Sequence, residues 1–135
     1  MEDLKNIRTS WLKFMYIYTA LGAGLIGLGM LVAPLTIKTI FNLPVQDNIM
    51  FGIVGSVYLA FGLVSIFGLI FPVRFIPILL LQMTYKILWF IGIIIPLIIK
   101  GQLPSYSFSF IIVFATYIIG DVIAIPFNRI FSPTA

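Results

Sequence analysis

The chain has no cysteine and no histidine in its 135 residues. Disulfides, thiol chemistry, histidine-held haem and zinc or iron held by His or Cys are therefore excluded. The usual general base near neutral pH is missing as well. Charge is scarce: eight Lys and Arg, four Asp and Glu, 9% of the chain against 61% hydrophobic. A soluble domain of this length needs a polar surface that these charges cannot supply, so lipid is the expected solvent. The net charge of +4 is dispersed, with no basic patch or stripe. It points to membrane orientation and away from nucleic acid as a partner. No cofactor and no metal are expected.

What is present is a series of long apolar runs. Met1 to Lys13 is polar, and the run from Phe14 to Leu35 carries no charge. That is close to the ~20 residues a spanning helix needs. It is longer than a signal-peptide core and ends in no A-x-A site, so an uncleaved first span is expected. Further spans are expected at 49–71, 75–99 and 108–125, making one all-α, four-span domain over residues 1–135. The predicted architecture is an antiparallel, up-down four-helix bundle in the membrane. Pro34 should end the first span and Pro96 should bend the third. The connection from Pro34 to Asn48 is amphipathic. Ile37, Ile40, Phe41 and Leu43 suit the interface, with Lys38 and Asn42 toward headgroups; a plain surface loop is the alternative. Pro44 and Asp47-Asn48 are entry signals for the next helix.

Small residues recur where helices pack in lipid. Ala20, Gly24 and Gly27, with Ala23, form one stripe. Gly52, Ser56 and Ala60 form another at four-residue spacing, with Gly55 and Gly62 alongside. Both are expected to be packing seams. Orientation follows from the positive residues outside the spans: Lys5, Arg8, Lys13, Arg74 and Arg129 on one side, Lys38 and Lys100 on the other. This bias places both termini in the cytoplasm.

The polar centre is expected in the third span. Gln82, Tyr85, Lys86 and Trp89 stand at i, i+3, i+4 and i+7, so a helix puts them on one face. A lysine at this depth costs roughly 2.5–3.5 kcal/mol on insertion scales unless it finds a partner or water. Asp121 is the only acid in the long apolar runs. On the fourth span it shares a face with Thr116, Tyr117, Gly120 and Ala124. Lys86 lies 12 residues beyond Arg74, and Asp121 lies 8 before Arg129. At ~1.5 Å per residue their depths differ by about 6 Å, within reach of a lysine side chain. An ion pair or a shared polar site is expected, assisted by Tyr85, Tyr117 or Gln82.

The span layout, the connection containing Phe41-Asn42-Leu43-Pro44, and the second span with Gly52, Gly55, Tyr58-Leu59-Ala60 and Gly62 resemble the DoxX-like group of small bacterial four-span membrane proteins. The Gln82-x-x-Tyr85-Lys86-x-x-Trp89 pattern and the Ala124-Ile125-Pro126 ending are similar to those of other small bacterial four-span proteins. The resemblance implies the four-span fold and no single chemistry. Small multidrug-resistance exporters share the size and span count, but they need an acid in the first span, and here that span has none.

Three functions compete. The leading expectation is a structural or accessory protein, in which Lys86 and Asp121 fix helix register and the stripes pack helices or dock a membrane-protein partner or a second copy. The alternative is binding or transport of a small amphipathic ligand (a lipid, quinone or hydrophobic metabolite) in a cavity lined by Gln82, Tyr85, Lys86, Trp89, Tyr117 and Asp121. An enzyme ranks last, because no serine, cysteine or histidine constellation accompanies Lys86. A closed, dry Lys86–Asp121 pair would favour the first reading. A cavity reaching Lys86 would favour the second or third.

Overall fold

The computed structural model describes residues 7–133. Lys5, part of the orientation argument, lies outside the described residues. The elements in order are α1 (Thr9–Val32), α2 (Pro34–Ile40), α3 (Asn48–Ile70), α4 (Ile76–Trp89), a π-helical turn (Phe90–Ile94), α5 (Ile95–Ile99), α6 (Ser107–Ala124) and α7 (Phe127–Ile130). All described elements are helical. Four helices are long and apolar enough to cross a membrane: Thr9–Val32, Asn48–Ile70, Ile76–Ile99 and Ser107–Ala124.

The first helix starts at Thr9, ahead of the apolar run at Phe14. Hydropathy marks where lipid begins, whereas a helix continues through a polar stretch that has no breaker. Leu12 is fully buried in this early turn. At the other end, Pro34 takes the first position of α2 and α1 closes at Val32. The connection predicted as interfacial or loop therefore contains a seven-residue helix. Ile37 of that helix rests against Gly29. Lys38 turns back onto α3, donating to Asn48 Oδ1 at 3.1 Å and lying over the Phe51 ring. Asn42 follows with φ 52°, a left-handed position that asparagine tolerates better than most residues. Asp47 then caps α3 by accepting the Ile49 N–H at 2.8 Å.

Neighbouring long helices run antiparallel, since contact positions rise along one as they fall along the next. Tyr16 packs on Gly68, Gly24 meets Gly62, and Gly27 meets Gly55 and Leu59. This α1–α3 seam is so close that a Cβ at Gly62 or Gly27 would strike the opposing backbone. The expected Gly52–Ser56–Ala60 stripe is not the seam. Ser56 and Ala60 are exposed, and a Cβ on Gly52 would meet open space. The shift from residues 52, 56 and 60 to 55 and 62 turns α3 so that its glycines, rather than its mixed small residues, face α1.

The third span departs from α-helical bonding ahead of Pro96. Proline cannot donate to the residue four back, and its ring crowds that carbonyl. Helical bonding widens upstream instead: the Ile95 N–H reaches Phe90 O, a five-residue return, and Gly92 sits within the turn. Tyr16 Oη donates to Pro72 O at 2.6 Å and ties α1 to the turn between α3 and α4. Arg8 donates to Ile123 O at 3.2 Å, tying the start of α1 to the end of α6.

Candidate functional site

The expected polar centre separates into two parts. Gln82 and Lys86 are one helical turn apart on α4, and both are 1% exposed. Asp121 on α6 is fully buried. Its carboxylate accepts from Gln82 Nε2 at 3.1 and 3.3 Å. Gln82 Oε1 lies 3.2 Å from Thr19 Oγ1 on α1, and that hydroxyl lies 2.8 Å from Met15 O. One amide thus links α1, α4 and α6 through a polar ladder. Depth explains the choice of partner. Gln82 is 8 residues beyond Arg74, and Asp121 is 8 before Arg129. They are level, whereas Lys86 sits one turn deeper.

Lys86 therefore has no direct bond to Asp121, and the ion pair expected from the sequence is replaced by this amide–carboxylate contact. Lys86 Nζ instead donates to Tyr85 Oη at 2.9 Å. It lies over the rings of Tyr85 at 4.3 Å, Tyr117 at 4.4 Å and Phe114 at 5.0 Å. Ring faces are negative, so this cage offsets part of the cost of burying the ammonium. The ammonium has three N–H donors, and the cage supplies one oxygen.

Tyr117 is fixed from behind. Its hydroxyl donates to Tyr18 O at 3.0 Å, and the two rings meet edge to face with centroids 4.1 Å apart. Tyr18 Oη and Thr116 Oγ1 are 2.7 Å apart, a second link between α1 and α6. Gly22 is required here, because a Cβ would strike the Tyr117 hydroxyl. Trp89 is half-buried and packs against Phe114 and Phe90. It supports the cage from outside and does not touch Lys86.

A partly open cavity of about 430 Å³ lies against this cage. Its walls come from α1 (Leu21, Gly22, Ala23, Ile26) and α6 (Ser109, Phe110, Val113, Phe114). Tyr18, Tyr58, Tyr85 and Tyr117, four of the chain's six tyrosines, share the lining with Lys86. Phe41, in the connection after α2, also lines it, its ring tilted against that of Phe110 with centroids 5.4 Å apart. The cavity therefore runs from Lys86 toward the side where the two longer connections lie. Its wall is almost wholly apolar, with its one cation at the inner end.

Of the residues singled out in the sequence, Tyr85, Lys86 and Tyr117 line the cavity, while Gln82 and Asp121 form the ladder beside it. Thr19, Tyr18, Tyr58, Phe110 and Phe114 were missed. A signal for Thr19 existed: it is one of the few polar groups within the first apolar run, and Gln82 needed an acceptor or donor at its depth. Nothing in the spacing of Phe110 and Phe114 distinguishes them from ordinary packing residues. Among the described residues no group of three or more His, Cys, Asp or Glu side chains could hold a metal. Comparison with family models, with curated proteins and with solved structures found no match.

Proposed function

We propose that the chain is an integral membrane protein that binds a small amphipathic ligand in the cavity between α1 and α6. The observation that carries this reading is a mid-span lysine in the lining of an apolar, aromatic-walled cavity. Such an ionisable group inside a span is expensive and marks ligand or ion sites by default. The volume and the sparse polar groups match small-molecule sites in general. A purely structural Lys86 would be paired with Asp121; the aspartate is engaged with Gln82 instead. The structural role falls to the Thr19–Gln82–Asp121 ladder, which fixes the depths of α1, α4 and α6 relative to one another. The acid–base reading is weakened, since Asp121 is bonded to Gln82 and not directly to Lys86.

The orientation that goes with this reading places both termini in the cytoplasm of a bacterial cell. Arg8, Lys13, Arg74 and Arg129 lie at that end, against Lys38 and Lys100 at the other. The cavity then opens toward the outer leaflet. Partners are membrane lipid and, through the exposed Ser56–Ala60 face, a second copy or another membrane protein.

A cysteine-free chain makes the test direct. Ser109→Cys puts one thiol in the cavity wall, and Ser56→Cys puts one on the outward face of α3. A saturable amphiphile should slow maleimide labelling at position 109 and leave position 56 unchanged. Equal protection at both sites, or at neither, would remove the ligand reading.

A further inference from the structure

Resting on the ligand reading, we infer that the cavity takes a long-chain carboxylic acid, head inward, with its carboxylate accepting from both Lys86 Nζ and the Tyr85 hydroxyl. Three observations select this chemistry. The first is unspent donor capacity. Lys86 Nζ has one oxygen partner, and the Tyr85 hydroxyl accepts that bond with its own proton uncommitted. Two adjacent donors on one side suit a carboxylate's two oxygens. The second is charge. Among the described residues no acid lies within 4 Å of Lys86, because Asp121 is held by Gln82. A single negative charge completes a pair there, whereas a cationic amphiphile meets an aromatic cage already filled by the protein's own ammonium.

The third is depth. Lys86 stands 10 residues from Ile76 and 13 from Ile99, so roughly 15 and 20 Å from the ends of its span. A head that reaches this point must cross hydrocarbon. A carboxylic acid does so in its neutral form, while a phosphodiester headgroup stays charged and remains at the interface. The remaining wall, with Ile26, Phe110 and Val113, offers the tail apolar contact only.

The test uses the full chain in phosphatidylcholine nanodiscs and two photoreactive probes of equal chain length, one an acid and one an alcohol. The acid probe should label α1 and α6 saturably, with the free acid competing at least tenfold better than its methyl ester or alcohol. Lys86→Met should weaken the acid about 10- to 100-fold, the range expected for a charged hydrogen bond, and Lys86→Arg should restore part of it. If Lys86→Met does not fold, Tyr85→Phe and the competition series in the unaltered protein decide the matter. Equal saturable labelling by acid and alcohol would overturn the head-group assignment and leave the ligand reading intact. Saturable labelling by neither probe would overturn both.

Discussion

Breaking the ladder at Gln82 should cost more than breaking anything at Lys86. Gln82→Leu removes both N–H contacts to Asp121 and the oxygen beside Thr19. The carboxylate is fully buried, so it is left without the water that would replace them. An unsatisfied buried group costs about 1–3 kcal/mol, and more when charged. Polar contacts between helices in lipid average nearer 0.6 kcal/mol, because the separated helices also find partners. A loss of about 1–3 kcal/mol is therefore expected, measured by equilibrium unfolding in mixed micelles. Asp121→Leu should cost a similar amount. The double variant should recover most of it, since replacing both partners by apolar groups leaves nothing unpaired. The same cycle with Lys86→Met and Asp121→Asn should show weaker coupling than Gln82–Asp121, below about 1 kcal/mol, because the two charges act on each other without a direct bond. Additivity at Gln82–Asp121 together with coupling above about 1 kcal/mol at Lys86–Asp121 would refute the ladder and restore the ion pair.

Other positions follow from the same geometry. Gly62→Leu should separate α1 from α3 and cost about 3 kcal/mol or more by overpacking, whereas Gly52→Leu should be tolerated; thermal melts of the two compare directly. Val113→Trp should fill the cavity mouth, abolishing amphiphile protection of the Ser109→Cys thiol without loss of stability, because position 113 is already exposed. Asn42→Gly should be neutral and Asn42→Val should destabilise by about 1–2 kcal/mol, given the left-handed backbone there. Ser65 Oγ is buried without a partner among the described residues, so Ser65→Ala should be neutral or stabilising by about 1 kcal/mol in the same melts.

The sequence made the four long helices plain because an apolar run of 18 or more residues with at most one charge has few other fates. It also named Lys86, Asp121, Gln82, Tyr85 and Tyr117, since polar groups in such runs are rare. Of the ion pair or shared polar site expected for Lys86 and Asp121, the direct ion pair is not formed. Charge complementarity suggested Lys86 with Asp121, and the depth count that placed Gln82 level with Asp121 was available but outweighed. A lysine side chain can span one helical turn, but the Gln82 amide is already level with Asp121 and needs no such reach. The packing seam on α3 was displaced for a related reason. A four-residue repeat at 52, 56 and 60 and the glycines at 55 and 62 lie on neighbouring faces, and only the presence of Gly24 and Gly27 opposite decides between them. The π-helical turn was hidden because Pro96 marks a disturbance but not whether the helix bends at it or rewinds ahead of it. The cavity was invisible in principle: it is a space between α1 and α6, which meet only through tertiary packing.

The division of labour between ladder and cavity is tested most directly by two variants in one thermal assay, each measured with and without a long-chain amphiphile. Thr19→Val removes a ladder hydroxyl that does not line the cavity. Lys86→Met removes the cavity's cation, and an apolar replacement for a buried charge is often neutral or better for stability. The account predicts that Thr19→Val melts lower yet keeps its ligand-induced rise, while Lys86→Met melts near the unaltered protein and loses that rise. A destabilised Lys86→Met that still responds to ligand would contradict it.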